Sequence, residues 1–552
     1  MRVRLLFSIL ISASGTASCT LLLVVLSPAA SWALASNNVP LDSPMYLYLE
    51  KLAGFGLIDT DINGLKPFSK AEAARLVMEA ERNLEKTPDA PELAREMIAS
   101  IRELLPREVD LYGREDKAPT FDLSPLTSCR FRYVYLDGEP RDFDRLEFDP
   151  GADGFLGIGH LIARHPPGTG SVVPASGRES TPLMENNDGI VYQNHNNFET
   201  RLDTEGFAGS YASALLEPMV ISRPGERRNG SCARLFLNKA YVKLGGHGLE
   251  LEVGRDENWF GQGFRGTTIL TDNSRNMDEI KLSSPEPVDW PWFKRHIGLL
   301  KYALVFSRLD ESGSGASLRR PWFVAVKLSI KPTANFEGGV NFSRQEGGPN
   351  VIMPGLIKEI FTVGTSNNGS NTLAGFEMRW RFPWLRGTTV YWEYYGEDSV
   401  VVLPVIGSHI AGVYVPRLTS DGRNDFRFEF FMSHPIAYTD GKYPEGYTSD
   451  GLIIGHPMGR DVKEYFARFT HYFSARNSVA LEYFHTQRGR LGRTGDEAVE
   501  DADAGRIFWR APVTKDWDLL LNYGYQDIRN FNLVRGERRE NQIFRMDIAY
   551  RY

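Results

Sequence analysis

The sequence is short of several things. Of its 552 residues only 3 are cysteines, and they show no CxxC or Cys/His spacing for zinc. Cys19 falls in an apolar leader, so Cys129 and Cys232 remain, either joined as one disulfide or both free. Charge of one sign is scarce: 63 Lys+Arg against 70 Asp+Glu give a net charge of -7. That balance lacks the basic footprint of a nucleic-acid binder. Beyond the leader no run of about 18 apolar residues occurs, which excludes helical membrane spans there. The 10 histidines form no HExxH, and no GxSxG or glycine-rich phosphate loop stands out. No enzyme activity, metal or cofactor is therefore expected. Mean hydropathy is -0.31. With 52 Gly, 31 Pro and 12% aromatics the chain is neither disordered nor collagen-like. Such a composition suits an architecture in which only alternate residues must be apolar.

The amino terminus reads as an address. Met1-Arg2-Val3-Arg4 is a positive start, an apolar stretch follows from Leu5, and Ala33-Leu34-Ala35 before Ser36 has small-x-small form. A signal peptide over residues 1–35 and a non-cytoplasmic mature protein are expected, an uncleaved anchor being the alternative.

Residues 36–110 read as a small helical bundle. Ser43-Pro44 opens a helix that Gly54 or Gly56 ends, Ser69-Lys70-Ala71-Glu72 has the form of a capping box, and Asp89 to Leu105 gives a third helix stopped by Pro106. Three short helices are marginal alone and should dock on something larger. Asp59-Thr60-Asp61-Ile62-Asn63-Gly64 imitates the start of a calcium loop, but its twelfth position is Lys70 where a bidentate Glu is required. A turn is the expectation.

From about Leu111 the period changes to two. Phe376-Glu377-Met378-Arg379-Trp380-Arg381-Phe382 puts apolar side chains on one face and charges on the other, and Phe426-Arg427-Phe428-Glu429-Phe430 repeats this. Backward from Tyr552, ten successive connections alternate long and short, from Asp527–Glu540 and Thr514–Asp516 to Arg344–Leu373 and Pro332–Thr333. Tight turns on one side and long loops on the other mark an outer-membrane barrel. A mainly β fold is expected: a transmembrane antiparallel β-barrel of about 18 strands over residues 111–552, preceded by the α-helical bundle. A strand at Met277–Ser283 restores the loop alternation, which a single loop from Asp256 to Ile297 would break.

Two stretches carry candidate function. The first, Gly254, Arg255, Asp256, Trp259 and Gly261, ends a strand and reads as a barrel-end turn with an Arg–Asp pair or as something more specific. The second holds Tyr438, Tyr443 and Tyr447, then His456, Arg460 and Asp461. Tyrosines stack on sugar faces and carboxylates accept from hydroxyls, so this loop suits a saccharide. It equally suits an ordinary loop stiffened by aromatics.

These pieces resemble the Wzi family of outer-membrane capsule assembly proteins. The likeness is carried by Tyr48-Leu49-Glu50-Lys51-Leu52 to Gly56-Leu57-Ile58, by Lys66-Pro67-Phe68-Ser69-Lys70-Ala71-Glu72, by Gly254-Arg255-Asp256 to Trp259-Phe260-Gly261, and by Gly455-His456-Pro457. It implies an 18-stranded barrel, a helical bundle at the periplasmic end, and a surface lectin that retains capsular or extracellular polysaccharide. The expected partners are that polysaccharide and outer-membrane lipid, with no nucleic acid and a monomeric chain. The expected location is the outer membrane of a Gram-negative bacterium. Two rival readings stand beside it: a porin-like channel, and a helical module that grips cell-wall polymer as surface-layer homology repeats do.

Overall fold

The computed structural model describes residues 34–151, 156, 171–222, 233–246, 248–288, 291–311, 320–347, 370–397, 406–440, 443 and 445–551. The first 33 residues, where a leader is expected, and Cys232 lie outside them; Cys129 is buried.

Among the described residues four α-helices precede the barrel: α1 Met45–Gly54, α2 Lys70–Leu84, α3 Glu92–Leu104 and α4 Pro106–Leu111. Ser69 caps α2, its Oγ accepting from Glu72 N at 3.0 Å, but the Glu72 carboxylate pairs with Arg75 one turn on, so half of the expected box forms. Pro106 ends α3 but also opens α4, because a proline at the first helical turn sacrifices no hydrogen bond. Leu52, Leu57, Leu76, Val77, Leu93 and Ile101 are buried in one apolar cluster. That cluster takes in Tyr472 and Ala475 from the sheet, so the helical module packs on the barrel as well as on itself.

Eighteen strands close into one antiparallel barrel. They are β1 Asp122–Asp137, β2 His195–Ala208, β3 Ala212–Ser222, β4 Ala233–Gly246, β5 Leu249–Asp256 and β6 Met277–Ser283. Next come β7 Leu299–Arg308, β8 Trp322–Thr333, β9 Phe336–Glu346, β10 Ser370–Phe382, β11 Thr388–Glu397 and β12 Ile406–Val415. The last are β13 Asn424–Met432, β14 Val462–Ser474, β15 Asn477–Arg488, β16 Glu500–Pro512, β17 Trp517–Arg529 and β18 Arg538–Arg551. Each pairs with its sequence neighbours, and β18 closes on β1 from Ser128↔Arg551 to Asp137↔Gln542. The strand that restores the loop alternation exists as β6, paired to β5 and β7. The turn read at Pro332–Thr333 lies two residues later, since Thr333 still pairs with Phe336.

The alternating pattern sorts side chains between the outer face of the barrel and its lumen. On β10 Met378 and Trp380 point outward at 37% and 51% exposure, while Glu377 and Arg381 point inward and are buried. On β13 Phe428 faces out between buried Arg427 and Glu429. Trp380, Trp384 and Trp509 lie exposed toward the short-turn end, where interfacial aromatics sit.

The helical module fills the short-turn end through ion pairs with the inner wall. Lys51 Nζ meets Asp425 at 2.9 Å, Glu50 takes both Arg379 (2.7 Å) and Arg427 (2.5 Å), and Lys70 meets Glu205 at 2.5 Å. The calcium-like turn is a docking turn. Asp61 pairs with Lys331 at 2.6 Å, Asp59 with Arg381 at 2.6 Å, and the Asn63 and Gly64 amides donate to Glu337. The segment before α1 runs along the inner wall too: Ala35 N donates to Ser210 O, and Asn38 bonds Glu252, Asp256 and Lys243. Burial alone would raise the Glu50 carboxyl, but Arg427 and Arg379 hold it down at about 2.

Candidate functional site

The long-loop end is where the two singled-out stretches meet. The loop after β5, residues 257–276, folds into the barrel. Its Trp259–Phe260 segment pairs antiparallel with Leu65–Lys66 of the helical module, so a loop from one end touches a module filling the other. Two wall carboxylates hold its path by backbone alone. Glu393 Oε1 accepts from the amides of Gln262 and Gly263, the latter at 2.6 Å. Glu429 accepts from Phe264 N (2.7 Å), Arg265 N (2.9 Å) and the Tyr391 hydroxyl (2.7 Å). Buried amides need acceptors, and period-two wall positions supply them.

Gly254 and Gly261 are required by this path. Their φ values are 145° and 154°. A Cβ on Gly254 would sit 2.2 Å from Ala240 O, and one on Gly261 would sit 2.6 Å from Glu393 Oε1. Arg255 and Asp256 are not partners, because successive strand residues face opposite ways. Arg255 pairs with Asp278 at 2.8 Å on the outside, and Asp256 is buried inside, accepting from Asn38 at 2.6 Å. Trp259 is buried against the module, with Lys66 over its ring.

The loop between β13 and β14, residues 433–461, lies over the inner loop. Tyr438, Tyr443, Tyr447, His456, Arg460 and Asp461 are all buried. The Tyr438 hydroxyl donates to Thr268 O at 2.7 Å and that of Tyr447 to Ile269 O at 2.9 Å, their rings stacked 5.8 Å apart. Tyr443 reaches Gly347 O at 3.3 Å. His456 stacks on Phe431 with centroids 3.6 Å apart, and burial holds its imidazole well below the ordinary range, so it is neutral at pH 7. These side chains fasten one loop to another. Arg460 and Asp461 reach outward instead. Arg460 bonds Glu147 (3.3 Å) and Ser176 O, while Asp461 accepts from Leu491 N and Gly492 N. Burial, with the Glu147 carboxylate nearby, pushes the Asp461 carboxyl up to about 7.

Between the lid, the inward loop and the wall lies a small polar cleft of about 60 Å³. Arg141 bridges Glu179 (2.5 Å) and Glu500 (2.6 Å), Arg488 meets Glu179 at 2.9 Å, and Phe531 lies beneath Arg141 and Arg539. Burial alone would raise the Glu179 carboxyl; Arg141 and Arg488 hold it at about 2. Fixed guanidinium and carboxylate groups beside an aromatic ring can bind hydroxyl-rich chains. The sequence marks Glu429 as one of the charges that line and stiffen the lumen, but the reading missed Glu337 and Glu393, whose only signal is a carboxylate at a lumen-facing strand position. It missed the cleft too, because its residues come from many separate segments of the chain.

Relatives sharpen the picture. A protein of Klebsiella pneumoniae, described as an uncharacterized 55.8 kDa protein in the cps region, is 26% identical over 200 residues. That match spans 34% of this chain and only 38% of that protein's length. A solved structure, described as Wzi, an outer membrane protein involved in group 1 capsule assembly in Escherichia coli and a carbohydrate-binding β-barrel, superposes with a TM-score of 0.63. It shares 17% identity, over 95% of this chain and all of that one, and so speaks for the fold. The family model described as capsule assembly protein Wzi matches residues 164–543, well over half of the sequence. With its closed 18-strand barrel and N-terminal helices, the chain belongs to the Wzi family of outer-membrane capsule assembly proteins.

Proposed function

We propose that this protein acts without catalysis as a polysaccharide-binding lectin of the outer membrane, organising and retaining capsular or extracellular polysaccharide at the cell surface. In this reading its long loops face outward and its helices face the periplasm of a Gram-negative cell, and residues 1–35 are a cleaved leader. The observation that carries it is the lid. The loops at the long-loop end are hydrogen-bonded to one another and to the wall, leaving a fixed polar cleft lined by Arg141, Glu179, Arg488 and Phe531. A preorganised surface loses little entropy on binding an extended chain. The buried tyrosines Tyr438, Tyr443 and Tyr447 act in this scheme by shaping the lid.

The refolded full chain should retain labelled capsule extract, and Phe531→Ala with Arg539→Ala should weaken retention about tenfold, a loss near 1.4 kcal/mol. No retention by the parent chain, or a gene deletion that leaves all surface polysaccharide cell-bound, overturns the reading. Planar-bilayer conductance tests the channel alternative: little current is expected, and sustained porin-scale current would favour a channel.

A further inference from the structure

Asp188, Glu257 and Asp272 each place one carboxylate oxygen within 4.8 Å of the other two. All three are buried, at 7%, 3% and 7% exposure. Asp188 comes from the loop between β1 and β2, the other two from the inward loop between β5 and β6. Their surroundings are unequal. Asp188 takes Arg201 and the amides of Asn238 and Asn276. Glu257 takes Lys239 Nζ and Leu41 N, each at 2.8 Å. Asp272 has no such cation, and its Oδ1 is buried without a hydrogen-bond donor. Asn186 Oδ1, likewise buried without a donor, lines the same cavity of about 250 Å³ as Asp272. Glu257 lines a second cavity, of about 370 Å³, and Asp42 lines both.

From this geometry we infer that the triplet is a calcium site. Three carboxylates face two side-chain cations, and an acceptor left without a donor in a buried place calls for a positive charge. All donors are oxygen, with no nitrogen or sulfur, which selects a hard cation over zinc or copper. The three oxygens lie within 4.8 Å of one another, close enough for one cation to touch all of them, and a donor set made of protein carboxylates suits Ca²⁺ better than Mg²⁺, which keeps several of its waters. The adjoining cavities provide an entry path and room for water ligands. The ion ties the β1–β2 loop to the β5–β6 loop within the lumen. The other triplet, His485, Asp501 and Asp503, differs in kind: it is half-buried, and Arg529 already bridges both of its aspartates.

The test uses the full chain refolded in detergent and washed with EGTA, titrated with CaCl₂ and separately with MgCl₂ by calorimetry. One Ca²⁺ per chain with sub-millimolar Kd is expected, in the range of extracellular calcium modules, with Mg²⁺ at least about tenfold weaker. Asp272→Asn should weaken Ca²⁺ at least about tenfold and abolish the rise in apparent Tm that Ca²⁺ gives the parent chain. No uptake by the parent chain at about 1 mM CaCl₂, a range in which even weak extracellular sites fill, overturns the inference without any variant. Equal affinity for Mg²⁺, or unaltered Ca²⁺ binding by a folded Asp272→Asn barrel, also overturns it.

Discussion

At the short-turn end the lumen is filled by a module whose apolar core is nearly all its own; at the long-loop end it is filled by loops whose apolar residues, such as Phe260, Ile269, Leu270 and Ile454, are buried among wall residues such as Val305, Phe323 and Leu373. The module needs the wall only for docking, and spends it on side-chain ion pairs such as Lys51–Asp425 and Glu50 with Arg379 and Arg427. The inward loop shares its apolar cluster with the wall, which also supplies acceptors for its amides through Glu393 and Glu429. Removing a wall charge should therefore loosen a docked body at one end and undo a folded one at the other.

The largest effect is expected from Glu429→Ala. It leaves two buried amides and the Tyr391 hydroxyl without an acceptor and should cost about 3–5 kcal/mol, with a rise in bilayer conductance. An unchanged urea midpoint and a silent bilayer would show that the loop holds itself. Next comes Phe428→Lys, one residue away but facing lipid, expected to cost about 2–4 kcal/mol in folding measured in lipid vesicles. A negligible cost would invert the assignment of faces. Gly261→Ala should cost about 1–3 kcal/mol through its backbone conformation and its clash with Glu393, visible as a lowered apparent Tm. Alanine tolerated there would mean that the loop path is not fixed.

The smallest effect concerns acid. Glu50 and Asp61 titrate at about 2 in the folded protein against ordinary values of 4.5 and 3.8; burial opposes ionisation, and Arg427 with Arg379, or Lys331, overcomes it. Their contribution is complete above about pH 5 and is lost as pH falls from about 4 toward 2, about 1–2 kcal/mol for each. Proteolysis of α1–α4 should rise over that window while the barrel strands stay protected; equal protection at pH 2.5 and pH 7 would remove these pairs from the docking.

The same contrast explains what the sequence discloses. Strands are legible because lipid and water impose opposite demands on alternate residues, as at Phe376–Phe382, and β6 is legible from loop parity alone. Ser69 and Pro106 announce helix ends by local chemistry. The direction in which a loop folds has no local signature. Tyr438 and Tyr447 would look the same stacked on a sugar as bonded to the carbonyls of Thr268 and Ile269, because a wet lumen accepts the same side chains as a surface. Asp188, Glu257 and Asp272 carry no spacing signal either, since their meeting is made by closure of the barrel.

A wall that grips its filling by amide hydrogens fixes the course of the chain before any side chain is counted. Between Gln262 and Arg265 the side chains are then held a second time: Gln262 Nε2 donates to Glu337 and Glu377, Arg265 pairs with Glu185 and Glu464, and a Cβ on Gly263 would sit 2.0 Å from Gly266 O. Proline, which has no hydrogen to offer, would lose the first grip outright. Diversity on the outside of such a barrel can then accumulate on an interior that changes little.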